Sequence, residues 1–206
     1  MARTYKPDIP KRTYEHRARL VASELLRAPL IGNLYSIPEF TDDKELVLFL
    51  GKSFIEGSLR KLGGKEIAHI DNFRVPTGLH GKGIGERLLK AFTAEAKQMG
   101  CQELWSSEVA SRAVGLRAKV FGPDNLVFYD GDYPEQGFLP IDVAQALSLN
   151  DRMDKVYAAT PPADGTRQGY IGIYVNLDQV DTSTWELPFC SETIIEENAP
   201  YLLVSA

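Results

Sequence analysis

Three glycines at alternate positions, Gly81, Gly83 and Gly85, stand in the string VPTGLHGKGIGERLL (75–89), between an extended segment and an amphipathic one. Lacking side chains, they let the backbone approach a ligand closely. Where such a loop opens a helix, unpaired amides and the helix dipole converge on one spot and form an anion site. Lys82 adds a positive charge there, and a diphosphate is the natural occupant. A plain strand-to-helix turn would not need three glycines. Spacing narrows the choice of ligand. A Walker loop requires GxxxxGK[ST], but the run from Gly78 to Lys82 is too short, and Gly83 stands where Ser or Thr should be. The dinucleotide fingerprint GxGxxG requires glycine at position 86 or 88, which hold Glu86 and Leu88.

Upstream, His69 and Asp71 fall two apart on an extended run. Strand alternation puts them on one face together with Phe73 and Val75. Histidine has the ordinary pKa range for proton transfer near neutrality, and Asp71 is suited either to act itself or to orient the imidazole. The plainer alternative is that both form hydrogen bonds beside the core. Cys101 opens a strand with no candidate base nearby and reads as packing. Cys101 and Cys190 show no metal-ligand spacing, so no metal is expected.

These residues need elements to hold them. ELVLFL (45–50), SFIEGSLRKL (53–62) and KEIAHIDNFRV (65–75) read as a three-strand antiparallel meander, punctuated by Gly51 and by Gly63-Gly64. After the loop, Ile84, Leu88, Phe92, Ala96 and Met99 form a helical stripe that Gly100 stops. CQELWSSEV (101–109) is the next strand. A second helix runs over 111–121, and NLVFYD (125–130) is a short strand. YIGIYVNL (170–177) alternates apolar residues as a strand does. A further helix is expected over 14–28, a loop over 29–44, and an insertion over 131–168 with a brief helical piece at 141–149. The stretch 178–206 supplies at most an edge strand or packing arm. No domain boundary stands out, so residues 1–206 are expected to form a single domain.

The 206 residues carry 44% hydrophobic and 25% charged side chains, ordinary for a globular protein. With 23 basic against 28 acidic residues the net charge is −5, which disfavours nucleic acid as a partner and suits cationic ones such as amines. The N-terminal stretch lacks the apolar core of a secretory signal, and no apolar run reaches membrane-spanning length. A cytoplasmic protein with no membrane partner is expected.

The loop His80-Gly81-Lys82-Gly83-Ile84-Gly85 resembles the [RQ]xxGx[GA] pattern of the GNAT superfamily of acyl-CoA-dependent N-acyltransferases, departing from it where His80 replaces Arg or Gln. Val75 stands five positions before His80, as the family's closing strand residue does. Ile55-Glu56-Gly57 resembles its hydrophobic-x-Gly step, and the order of elements over about 14–177 is similar. The resemblance implies an α/β (α+β) fold with a mixed, mostly antiparallel central sheet, splayed at an acyl-CoA cleft and flanked by helices. It implies that acetyl-CoA is the co-substrate. The pyrophosphate would be held by His80, Gly81, Lys82, Gly83, Ile84 and Gly85, and pantetheine by the backbone of Phe73, Arg74 and Val75.

It further implies an N-acetyltransferase acting on a primary amine of a small molecule, peptide or protein, and admits a homodimer. The strand that bears His69 and Asp71 carries the base or water-ordering group in several family members. The tyrosine that often protonates the CoA thiolate aligns with Arg117, which would either touch the cofactor or, more simply, be a solvated helix residue. Tyr129, on the following strand, is the nearest replacement as general acid. Ser106 and Ser107 are candidates to line the cleft. Acceptor choice would rest with the loops 29–44 and 131–168, whose acids Asp42, Asp43, Asp130, Asp132 and Glu135 suit a cation. Two alternatives remain: a catalytically silent CoA-binding or interaction protein on the same fold, and a nucleotide-binding module.

Overall fold

The computed structural model describes residues 34–37, 45–129, 140–159, 171–187 and 190–192. The expected helix over 14–28 and the loop acids between 42 and 43 and between 130 and 135 lie outside them. The strands are β1 (Leu34–Ile37), β2 (Glu45–Leu50), β3 (Ser53–Leu62), β4 (Lys65–Arg74), β5 (Glu103–Val109), β6 (Val127–Tyr129), β7 (Ile171–Asn176) and β8 (Cys190–Glu192). The helices are α1 (Ile84–Gln98), α2 (Ser111–Phe121) and α3 (Val143–Ala159). The strands form one mixed sheet in the order β6-β7-β5-β4-β3-β2-β1-β8. Among the described residues only β4–β5 and β1–β8 pair in parallel.

The meander follows from its turns. Gly63 and Gly64 take φ of 58° and 86°, the two positive angles that a two-residue type I′ hairpin requires. β2 is buried from Leu46 to Leu50, as a strand covered on both faces should be. Strand alternation then separates two apolar sets. Leu104, Phe128, Ile173 and Val175 pack with Leu88 and Phe92 of α1 and Val114 of α2 in the main core. Their neighbours Trp105, Tyr129 and Tyr174, with Ile67, form a smaller cluster on the opposite face, where Trp105 and Tyr174 stack at 4.9 Å. Gly57 is what lets α1 lie so close: a Cβ there would meet the His69 carbonyl oxygen at 2.3 Å and the Phe92 ring at 2.6 Å.

Two expectations change and a third is met. The segment 29–44 contains β1, paired antiparallel to β2. The helical piece expected at 141–149 begins at Val143 and continues to Ala159, with Ala146 buried in the main core. In the C-terminal stretch, β8 is an edge strand against β1.

Two features of β4 shape the site. Its parallel pairing with β5 runs only from Ile67↔Glu103 to Ile70↔Ser106. Beyond that point β4 stays with β3 up to Phe54↔Arg74, and β5 goes with β7 up to Val109↔Ile171, so the sheet forks. At the fork β4 also carries a bulge. Glu56 pairs with Asn72 and Gly57 with Ile70, which leaves Asp71 as the extra residue.

Candidate active site

The bulge reverses the alternation of β4. Ala68 and Ile70 point into the helical core, yet after Asp71 it is Phe73 and Val75 that pack there. His69 points to the other face. The expected shared face for His69, Asp71, Phe73 and Val75 is therefore corrected, because an extra residue shifts a two-residue period by one. The candidate site residues divide into two groups on opposite sides of the fork.

On the helical side lies a cleft of about 400 Å³. One wall is Phe73 and Val75, the floor is Leu79, His80, Gly81 and Gly83 to Gly85, and the opposite wall is Arg112, Ala113, Leu116 and Lys119 of α2. Gly81 and Gly83 have φ of 75° and 74°, a region that L side chains rarely enter, and Gly83 is the N-cap of α1. Gly85 matters for space: a Cβ there would stand 3.3 Å from Leu116 and 3.7 Å from both Phe73 and Val75. The His80 ring turns back, and its Nε2–H donates to the Val75 carbonyl oxygen at 2.8 Å, tying the loop to the end of β4. Arg74 and Lys82 are exposed and do not line the cleft.

Charge in this cleft is arranged around Glu86. Lys119 reaches one carboxylate oxygen at 2.6 Å and Lys90 the other at 2.8 Å, and these bonds hold Glu86 below the usual carboxylate range. Arg112 and Lys119 were not singled out from the sequence. The positions 112, 113, 116 and 119 follow helical spacing, which was the signal available.

On the other side, His69 Nδ1 lies 2.8 Å from Asp71 Oδ1, and His69 Nε2 lies 3.0 Å from Ser107 Oγ. Because a carboxylate only accepts, Nδ1 carries the proton, and in the neutral ring Nε2 is left as the basic nitrogen. Arg60 donates to the same Asp71 oxygen at 3.1 Å. Tyr129 is fully buried; its hydroxyl donates to the Ser106 carbonyl oxygen at 2.8 Å and lies 3.3 Å from Ser107 Oγ. Gly172, paired with Tyr129 across β6–β7, makes this placement feasible, since a Cβ at 172 would overlap the tyrosine ring at 2.0 Å. The structure thus brings His69, Asp71 and Tyr129 into one network and adds Ser107, Arg60 and Gly172 to it.

Arg117 is 4% exposed, not solvated as its charge suggested. It donates to Ser106 Oγ at 2.9 Å and to the Ala113 carbonyl oxygen at 3.2 Å. Burial pushes its pKa down to about 10, which still leaves it charged at neutral pH. Cys101 is buried, as expected of a packing residue.

Sheet, fork and glycine-floored cleft together define a mixed α/β domain with its cleft on the helical side of the fork. The model of the acetyltransferase (GNAT) family matches residues 39–122, from before β2 through α2. Similar solved structures include the IAA acetyltransferase from Bacillus cereus, at 17% identity over 69% of this chain and 97% of that one, with a TM-score of 0.40. Another is a Bacillus subtilis acetyltransferase in complex with CoA, at 13% identity over 70% and 97%, TM-score 0.39. A spermidine N-acetyltransferase chimera from Vibrio cholerae and hSSAT matches at 11% identity over 85% and 83%, TM-score 0.41. A comparison with curated proteins finds no match. Among the described residues no helix is long and apolar enough to cross a membrane.

Proposed function

We propose that this protein transfers the acetyl group of acetyl-CoA to a primary amine of a small molecule, peptide or protein. The observation that carries the reading is the fork. A cleft floored by a glycine loop at a helix N-terminus approaches it from one side, and a basic imidazole held by a carboxylate stands on the other.

The amides from Gly81 to Gly85 and the α1 dipole suit the pyrophosphate, with Arg112 and Lys119 near enough to add charge. Past Ile70 and Ser106 the facing strand edges no longer pair with each other, so the edge formed by Phe73, Arg74 and Val75, whose last carbonyl already accepts from His80, suits an extended pantetheine as a strand edge suits a neighbour. Its thioester would then lie at the fork.

An ammonium ion cannot attack; it must first lose a proton. His69 Nε2 accepts that proton, directly or through the Ser107 hydroxyl, while Asp71 and Arg60 fix the ring through Nδ1. The amine nitrogen bonds to the carbonyl carbon, and the C–S bond breaks with its electron pair going to sulfur. Tyr129, hydrogen-bonded to Ser106, the last residue of β5 to pair with β4, is placed to return a proton to that sulfur. The network of His69 and Asp71 favours this catalytic reading over binding alone, since holding CoA requires neither.

Acetyl-CoA incubated with a panel of primary amines and monitored for free thiol tests the reading. Amine-dependent thiol release, slowed by about 100-fold or more in His69→Ala, is expected. CoA binding with no turnover on any amine would overturn it.

A further inference from the structure

Ser106 is the residue at which β5 leaves β4, and it is touched from both faces. Tyr129 donates to its carbonyl oxygen from one side, and the Arg117 guanidinium donates to its hydroxyl from the other. Arg117 sits one turn of α2 after Ala113 and next to Leu116, both of which line the cleft. A buried guanidinium normally answers to a carboxylate, because desolvating a lone charge is costly. Here no carboxylate among the described residues pairs with it; its acceptors are a serine hydroxyl and a helix carbonyl. Two contacts leave further N–H donors of the five available. The charge is therefore maintained at a cost to folding, and at the point where the strands separate.

We propose that Arg117 is a catalytic residue that holds the sulfur of the departing CoA as a thiolate. The inference rests on the acetyl-transfer reading above. When the amine nitrogen has bonded to the carbonyl carbon and the C–S bond breaks, the electron pair stays on sulfur. A fixed cation in a water-poor site stabilises that charge as it develops, with no reorganisation needed at the moment of reaction. Tyr129, on the opposite face, then supplies the proton that converts thiolate to thiol. The sulfur thus departs as an anion first and is protonated second.

The linkage sign separates this role from a structural one. A cation whose folded pKa lies below its unfolded value destabilises the fold at every pH where it is charged. Removing it should therefore leave Tm unchanged or higher while catalysis falls.

The test uses CoA and desulfo-CoA, in which hydrogen replaces the thiol, titrated calorimetrically into the wild type, Arg117→Met and Arg117→Lys. The wild type should bind CoA about tenfold or more tightly than desulfo-CoA at mildly alkaline pH, where a charged sulfur can be held. Arg117→Met should bind both equally, with desulfo-CoA affinity unchanged. In turnover with an accepted amine, its kcat should fall about 100-fold at constant acetyl-CoA KM. Arg117→Lys should restore part of both effects. Equal wild-type binding of the two ligands, or an Arg117→Met enzyme with undiminished kcat, would overturn the proposal and leave acetyl transfer standing. Failure of the wild type to bind either ligand would overturn the acetyl-transfer reading and this inference with it. The wild-type preference is informative whether or not a variant folds.

Discussion

On the helical side of the fork the surface is main chain: the loop from Gly81 to Gly85, glycine conformations at positive φ, and a wall of Phe73, Val75 and Leu116. On the other side it is side chains, His69, Asp71, Ser107 and Tyr129, joined by hydrogen bonds of 2.8 to 3.3 Å. The two surfaces should fail in different ways. A backbone-built site is damaged by added atoms and is indifferent to most lost polar groups. A side-chain-built site is damaged by lost groups and retains its ligand when they go. Binding and chemistry should therefore be separable by mutation.

The largest effect is expected from His69→Ala. Loss of a positioned base typically costs about 10²–10⁴ in rate, so kcat should fall by that much while the acetyl-CoA KM holds. A KM rising in step with the loss of kcat would merge the two sides into one. The converse variant is Gly85→Leu, whose side chain would grow into the space between Phe73, Val75 and Leu116. Calorimetry should show acetyl-CoA affinity reduced by about 100-fold or more, with the circular dichroism spectrum unchanged, as expected for overpacking confined to a cleft.

Gly172→Ala sharpens the comparison by disturbing the side-chain surface indirectly. Its methyl group would lie 2.0 Å from the Tyr129 ring, so the ring must move off β7. A loss of about 1–3 kcal/mol in stability and a lower kcat should appear together in thermal melts and kinetics, with acetyl-CoA affinity little changed. The smallest effect belongs to Glu86. Lys119 and Lys90 lower its pKa, so its contribution to stability is present above the ordinary carboxylate pKa of 4.5 and is lost as pH falls through the lowered folded value. Because the pair is partly exposed, Glu86→Gln should cost under about 1 kcal/mol near neutrality, and its Tm should converge with the wild type in acid.

The backbone-built half was largely legible in the sequence. Glycine marks positions where positive φ or close approach is required, so Gly63-Gly64, Gly81 and Gly83 announced the hairpin and the loop. Apolar periodicity did the same for α1 and β7. The side-chain-built half was legible only in its members. His69, Asp71 and Tyr129 were singled out, but their arrangement depended on a bulge at Asp71 that no local pattern declares, and it reversed the face on which Phe73 and Val75 lie. Arg117 looked solvated because a charged residue within a helix usually is; its burial depends on β5 passing behind α2. Gly172 gave no sign of its purpose, since the ring it accommodates is 43 positions away in the chain. The later half of α3 was missed because Asp151, Arg152, Asp154 and Lys155 interrupt the apolar pattern that marks its beginning.

The most direct test of two separable surfaces meeting at one fork is the calorimetric titration of acetyl-CoA into the wild type, Gly85→Leu and His69→Ala side by side. The account expects saturable one-site binding to the wild type, the same affinity in the turnover-deficient His69→Ala, and affinity weaker by about 100-fold or more in Gly85→Leu. Absence of binding by the wild type, or undiminished binding by Gly85→Leu, would contradict it.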